Sequence, residues 1–356
     1  MSEQNVIKED EQVLKNLINY VLSVIGKDLR LLEKEVWVVF GASGFVGKWI
    51  CLLGQAINQT KLLNIRVVGA SRNPTYAANQ LKNFFPKDIG IPEIKGNHDL
   101  LDDFSAQSLM RQATVIFYAA TPTTTSLTNQ RNESRTFAQA IFRSLENSQT
   151  PMFIHLSSGA VYRTPHNLFR KISETGPLQD SRYPQSDYQA IKLDMETLVR
   201  EATRDGLVQG INARLFAFLG PGFPLESHFA ASNFVHSAIR EEDLVLMGNP
   251  ETIRSYMSPQ DLLIWLSQLW LHGRNSRIGN VNIGSDVPIT MLELAEAVKQ
   301  TFKSKRLIQF GNRTAEASYY CPDTRIFESS FAVPPLTSLR EMLNQWREYL
   351  FRTMNL

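Results

Sequence analysis

Val36-Trp37-Val38-Val39-Phe40 runs into Gly41-Ala42-Ser43-Gly44-Phe45-Val46-Gly47, and then into a segment where Val46, Trp49, Ile50 and Leu53 share one helical face. An apolar β-branched strand, a glycine turn and an amphipathic helix in that order predict a unit that binds the phosphates of a dinucleotide. Gly41 permits the sharp turn, Gly44 lets the backbone approach a pyrophosphate, and Gly47 lets the helix pack closely on the sheet. The N–H groups at the helix start, with the positive end of its dipole, hold the phosphates. Ser43, Phe45 and Val46 sit within the same turn and complete this part of the cofactor-binding set.

The next strand, Ile65–Ala70, ends in Ser71-Arg72-Asn73. The end of this strand faces the adenosine ribose, where an acid would bind both hydroxyls and favour NAD. Ser71 and Arg72 stand there instead, and a guanidinium is a good phosphate receptor. The cofactor expected is therefore NAD or NADP, with Arg72 favouring NADP. A third strand is expected at Ile91–Ile94, and a fourth at Ala113–Tyr118, ending in Ala119-Ala120. Small residues there let the backbone lie under the cofactor. The polar loop Thr121–Thr125 follows at the carboxyl edge, where open α/β sheets bind ligands, and Thr123 is a candidate substrate contact. Upstream, Val13, Leu14, Leu17, Ile18, Val21, Leu22 and Ile25 predict a helix over 12–33 whose apolar face packs on the chain's own body or on a partner.

The helical stretch around Phe137, Ile141 and Leu145 leads to a fifth strand at Met152–Leu156. Ser157-Ser158-Gly159-Ala160-Val161-Tyr162 follows directly. Tyr188-Gln189-Ala190-Ile191-Lys192 then opens a helical pattern that continues through Leu193, Met195, Leu198 and Val199. A Tyr and a Lys four apart share a helix face. A neighbouring ammonium favours phenolate and so lowers a phenol's pKa. Such a phenol exchanges a proton with a hydroxyl or ketone during hydride transfer, and Ser158 can hydrogen-bond the same oxygen.

Composition bounds the remaining choices. The 356 residues suffice for one large domain or two. With 43% hydrophobic and 20% charged residues the chain is globular rather than disordered. A net charge of +2 indicates no nucleic-acid partner. Nothing in the sequence favours a disulfide between Cys51 and Cys321, which read as thiols in a reducing compartment. The polar start Met1-Ser2-Glu3-Gln4 is not a secretory signal, and no apolar run has bilayer length. A cytoplasmic protein with no membrane partner and no metal site is expected.

From about residue 36 to the end, the chain resembles an extended short-chain dehydrogenase/reductase of the NAD(P)-dependent sugar-nucleotide epimerase/dehydratase family. The glycine turn is similar to the family's cofactor turn, and Asp99-Leu100 matches its adenine-contacting acid. Tyr118-Ala119-Ala120 stands where the family usually has His-Ala-Ala. Ser158, Tyr188 and Lys192 match its catalytic triad; Tyr188 and Lys192 also touch the cofactor in such proteins. Arg214–Gly222 resembles the crossing into the substrate domain, and Asn282–Ser285 with Ile289-Thr290 the start of the C-terminal helical part. Arg254–Asp261 resembles the segment whose arginine holds a nucleotide diphosphate, which makes Arg254 a substrate residue beside Ser158.

The resemblance implies an α/β fold, a doubly wound parallel sheet (Rossmann) with a smaller C-terminal α/β substrate lobe. Its expected division is a helical extension over 1–35, a cofactor domain over 36–215 with 251–285 returning to it, and a substrate lobe of 216–250 and 286–356. It further implies a homodimer acting on a nucleoside-diphosphate sugar at a hydroxyl or ketone, at C4, in the manner of an epimerase. An NADPH-dependent reductase of a 4-keto sugar and a catalytically silent cofactor sensor are the alternatives. Three departures bear on the reaction. Dehydratases and decarboxylases of the family usually carry acids just after the catalytic Ser or Thr, where this chain has Gly159 and Ala160. Ala217 replaces the family's Asn near the substrate phosphates, and Arg163 replaces a usual glycine.

Overall fold

The computed structural model describes residues 11–29, 34–60, 63–97, 104–120, 127–146, 148–163, 170–179, 186–226, 229–276, 278–311 and 316–354. Its strands in chain order are β1 (Glu35–Phe40), β2 (Ile65–Ser71), β3 (Glu93–Gly96), β4 (Val115–Tyr118), β5 (Met152–Ser158), β6 (Gln209–Leu215), β7 (Ala217–Phe218), β8 (Leu244–Leu246), β9 (Ile253–Arg254), β10 (Tyr256–Met257), β11 (Asn280–Ile283), β12 (Ile289–Thr290), β13 (Ile308–Phe310) and β14 (Tyr319–Tyr320). Seven of them form one sheet in the order β11-β6-β5-β4-β1-β2-β3. Every neighbouring pair in it is parallel. The chain winds outward from β1 to β3, then returns to β4 on the other side of β1 and winds the opposite way. The switch point, where such sheets open a crevice, lies between the carboxyl ends of β1 and β4.

Alternation along β1 divides the core. Trp37 and Val39 point to one face and Val38 and Phe40 to the other, into separate buried clusters. The first face is covered by α1 (Gln12–Leu29), α2 (Phe45–Gln59) and, from later in the chain, the helix Pro259–His272. The second is covered by the helices Phe104–Gln112, Leu127–Ser144 and Asp187–Arg204. Strands buried on both faces must be apolar nearly throughout, which is how β1, β4 and β5 read.

Pro259–His272 is buried without interruption from Pro259 to Trp270. A helix buried all round, its polar Gln260, Asp261, Ser267 and Gln268 included, needs cover on every side. The sheet provides one side and α1 another, through Val13, Leu14, Leu17, Ile18, Val21, Ile25 and Leu29. The N-terminal helix thus packs on its own chain; positions 30–33 of its expected span lie outside the described residues.

The first two strands each run one residue beyond expectation, to start at Glu35 and to end at Ser71, and the next three shift further. The third strand starts at Glu93, because Pro92 has no N–H for the ladder, and it runs on to Gly96. The fourth starts at Val115 rather than Ala113, while the Thr114 hydroxyl donates to the Glu35 carboxylate at 2.5 Å. The fifth extends past Leu156 because Ser157 and Ser158 continue to pair with Arg214 and Leu215.

A second core gathers Phe234 and Val235, Leu294 and Val298, and Leu343 and Trp346 from the helices Ala230–Ile239, Met291–Phe302 and Leu339–Thr353, with the parallel pair β8–β13 beside them. Between the two cores lie the small sheets β12-β9-β14 and β10-β7. No helix among the described residues is long and apolar enough to cross a membrane. Cys51 and Cys321 are buried, unpaired thiols.

Candidate active site

The glycine turn stands at the switch point. Gly41 has φ +83°, and a Cβ on it would lie 2.8 Å from the Ala119 carbonyl carbon, so the ends of β1 and β4 touch there. The N–H groups of Gly41 and Ala42 donate to the Ala70 carbonyl, at 3.0 and 3.3 Å, tying the turn to β2. A Cβ on Gly47 would be 2.1 Å from the Gly41 carbonyl oxygen. The fold itself therefore demands two of the three glycines. Gly44 differs: a Cβ on it would meet just the Gly41 oxygen, at 3.3 Å, and otherwise enter open space. That open place over an exposed backbone at a helix start is what a pyrophosphate needs, so the residues present fit a dinucleotide. The first N–H groups of α2 have no acceptor inside the helix, and no acid stands in its first turn. Phe45 packs against Phe223 and Phe218, at 5.1 and 6.2 Å between ring centres, while Ser43 and Val46 are half-buried.

Ser71 and Arg72 close β2 beside this turn. Ser71 is buried and its hydroxyl lies 3.3 Å from the Asn73 N–H; Arg72 is exposed. If Arg72 reads a ribose phosphate, Arg72→Ala weakens NADPH binding by roughly 1.5–3 kcal/mol, the worth of a charge-assisted contact, and spares NADH. Titration of both cofactors into parent and variant measures this, and equal losses would remove Arg72 from that role. Tyr118 sends its ring into the cluster on the second face of the large sheet, beside Phe40, Phe153 and His155, and burial pushes its phenol well above the ordinary value. Its ring is thus part of the core, and Ala119 and Ala120 follow half-buried at the edge. Asp99, Leu100 and Thr123 lie outside the described residues.

Ser158 ends β5 and caps the short turn Gly159–Val161, its hydroxyl accepting from the Ala160 N–H at 3.1 Å. Across from it, the helix Asp187–Arg204 is started by a reciprocal cap between Ser186 and Gln189. This places Tyr188 in the first turn and Lys192 one turn further in. Tyr188 is 42% exposed, whereas Lys192 is buried and its ammonium donates to the Leu156 carbonyl at 2.7 Å. The nitrogen lies 5.7 Å from the Tyr188 ring centre. Desolvation lowers Lys192 to about 8, with the Glu196 carboxylate acting the other way. Desolvation also raises Tyr188, opposed by the neighbouring Ser158 hydroxyl. The structure thus brings Ser158, Tyr188 and Lys192 together but differs from the expected lowering of the phenol. The ammonium is turned towards a backbone carbonyl.

The sequence reading missed what stands behind these three residues. Glu196 is one more turn along the same helix face as Tyr188 and Lys192, the i+4 series that could have revealed it. Its carboxylate accepts from Arg214 Nε at 2.9 Å, Arg214 Nη2 at 2.7 Å and the Ser157 hydroxyl at 2.6 Å. Arg214 also donates to the Tyr162 hydroxyl, which donates to Asn282 Oδ1, both at 2.8 Å. The network joins β5, β6 and β11 to the turn after Ser158.

Arg254 lies on β9 and donates to the carbonyls of Ile253 at 2.7 Å and Ser318 at 3.3 Å, and to the Ser318 hydroxyl at 3.0 Å. All three acceptors are neutral, and no carboxylate pairs with it among the described residues. Burial works against its charge. A guanidinium held this way keeps its attraction for an anion. It lines a cavity of about 180 Å³ together with Gly159, Tyr162, Gln189, Tyr319 and Tyr320, next to Ser158 and Tyr188 in sequence.

A doubly wound sheet with a glycine turn at its switch point, and a Ser, Tyr and Lys gathered beyond β5, is the design of an extended short-chain dehydrogenase/reductase. The NAD dependent epimerase/dehydratase family matches residues 37–284, and the chain belongs to this family. UDP-glucuronic acid decarboxylase 1 of Arabidopsis thaliana is 33% identical over 159 residues, 44% of this chain and 36% of that protein, so well under half of the relative is matched. The UDP-N-acetylglucosamine 4-epimerase of Methanobrevibacter ruminantium M1, solved with UDP-N-acetylmuramic acid, superposes with a TM-score of 0.74 at 17% identity, over 90% of this chain and 99% of that one. The UDP-glucuronic acid 4-epimerase of Bacillus cereus, solved with UDP-glucuronic acid and NAD, gives 0.71 at 18% identity, over 90% and 100%. At these identities the likeness is one of fold.

Proposed function

We propose that the protein moves hydride at a hydroxyl or ketone carbon, C4, of a nucleoside-diphosphate sugar, in the manner of an epimerase. The observation that carries this reading is Arg254, a half-buried guanidinium without a carboxylate partner among the described residues, lining a cavity with Gly159 and Gln189, the chain neighbours of Ser158 and Tyr188. A diphosphate is the anion that suits it, and the sugar then lies towards Tyr188. The UDP sugars in the two solved neighbours support the same class of substrate.

In this reading the Tyr188 phenol takes the proton from the sugar hydroxyl and returns it, and the Ser158 hydroxyl holds the same oxygen. A nicotinamide dinucleotide, its pyrophosphate held by the glycine turn, would supply the hydride acceptor and donor. Lys192 holds the Tyr188 side of the site through its ammonium and the Leu156 carbonyl. Gly159 and Ala160 have no group that can take a proton from carbon or hold a sugar carboxylate, so neither elimination nor loss of carboxylate has a supporting group at these positions. The decarboxylase relative therefore indicates kinship and substrate class rather than the reaction. Arg72 at the end of β2 favours a second reading, an NADPH-dependent reductase of a 4-keto sugar, which differs in releasing its cofactor each cycle.

Arg254→Ala tests the substrate class. The variant is expected to bind NAD normally and to lose roughly 1.5–3 kcal/mol of affinity for UDP, the size of a charged hydrogen-bond loss. Calorimetry with UDP as a truncated ligand measures it. Unchanged affinity would place the phosphate grip elsewhere. Since remote binding energy also positions the reacting carbon, turnover falls with it.

A further inference from the structure

The place of the missing side chain on Gly159 is already filled. A Cβ there would stand 2.7 Å from the Tyr320 hydroxyl and 2.7 Å from Cζ of Phe216. Tyr320 arrives from β14, beyond the residues 37–284 that match the family. It pairs in register with Arg254 in a parallel ladder, so the two side chains emerge on one side of the small sheet. Its ring leans on Phe216 at 4.6 Å and lies 5.9 Å from the Arg254 guanidinium. Its hydroxyl donates to the Leu215 carbonyl at 3.5 Å, the long limit of a hydrogen bond, and has the Ser158 hydroxyl as a second neighbour. A weakly engaged hydroxyl thus stands in the cavity wall between Ser158 and Arg254.

We propose that Tyr320 is a specificity-determining residue that touches substrate. Its hydroxyl occupies the volume of a side chain on residue 159 and hydrogen-bonds an oxygen substituent on the carbon next to the reacting one. This rests on the nucleotide-sugar reading above. Residue 159 follows the serine that holds the reacting oxygen, so whatever fills its side-chain volume meets the neighbouring part of the sugar. A carboxylate in that volume could remove a proton from carbon. The phenol does not, because burial keeps it neutral at any physiological pH, and it offers a donor to oxygen instead. The site then selects sugars with oxygen at that position and leaves the adjacent C–H intact.

Tyr320→Phe keeps the ring against Phe216 and removes the hydroxyl alone. The probes are UDP, dTDP and their glucose esters, titrated by calorimetry into the full-length protein with NAD present. The parent is expected to bind a glucose ester more tightly than its bare diphosphate. In the variant, affinity for that ester falls a few-fold to about tenfold, the worth of one hydrogen bond. Affinity for the diphosphate, affinity for NAD and the melting temperature stay as in the parent. An equal loss on diphosphate and ester, a loss of NAD binding or melting temperature, or no loss at all overturns the assignment of Tyr320. So does a parent that binds the esters no more tightly than the diphosphates. A parent that binds neither UDP nor dTDP overturns the nucleotide-sugar reading itself, and the role of Tyr320 with it.

Discussion

Tyr188→Phe is expected to lower turnover by about a hundred- to ten-thousand-fold, the usual contribution of a general acid-base group, while leaving cofactor affinity nearly unchanged. The phenyl ring keeps its place beside Lys192, whose ammonium remains bonded to the Leu156 carbonyl, so the wall of the site persists. What disappears is a phenol that is 42% exposed and has the Ser158 hydroxyl as a neighbour opposing the rise that burial gives it. Tyr162 and Tyr118 are nearly closed to solvent and Tyr320 is half-buried, and burial raises each of them, so they are poor replacements. Steady-state rates with a nucleotide sugar, alongside cofactor titration and melting curves, separate loss of chemistry from loss of fold. Activity within a few-fold of the parent would remove Tyr188 from the proton-transfer role. A fall in cofactor affinity equal to the fall in rate would instead make it a binding residue.

Much of this architecture was legible in short stretches. Strand, turn and helix around Gly41–Gly47 announce themselves through local periodicity, and β1 and α2 follow that pattern closely. The Ser158, Tyr188 and Lys192 cluster was legible because strand end and helix face each leave a spacing signal. Tyr320 left none. Its approach to Gly159 depends on β14 pairing with β9, a long-range contact between two-residue strands that no periodicity encodes. Nor could spacing tell whether the Lys192 ammonium meets the phenol or the Leu156 carbonyl, since both lie within reach of a flexible side chain. Strand ends were least legible, because they are set by partners. Pro92 postpones β3, and continued pairing with β6 prolongs β5 to the very serine the site uses.

Behind that serine lies the pair whose loss should cost the most stability. Glu196→Ala is expected to destabilise the protein by about 3–5 kcal/mol, the cost of removing one partner from a buried ion pair. The Arg214 and Glu196 side chains are 2% and 5% exposed, so the guanidinium left behind could not be rehydrated without opening the core. By contrast, the Arg66–Glu93 pair, at 52% and 41%, sits in water and is worth little. Burial alone would lower the Arg214 pKa, yet the Glu196 carboxylate holds it above its ordinary value, and alanine removes that support. The Ser157 hydroxyl loses its acceptor at the same time, one residue before Ser158. Glu196→Gln keeps an oxygen for Arg214 or Ser157 and is expected to lose less. Urea unfolding of parent and both variants at neutral pH gives the free energies directly. A loss near 1 kcal/mol for alanine, about that of an ordinary hydrogen bond, would mean that water reaches Arg214. An equal loss for alanine and glutamine would assign the whole effect to the missing charge.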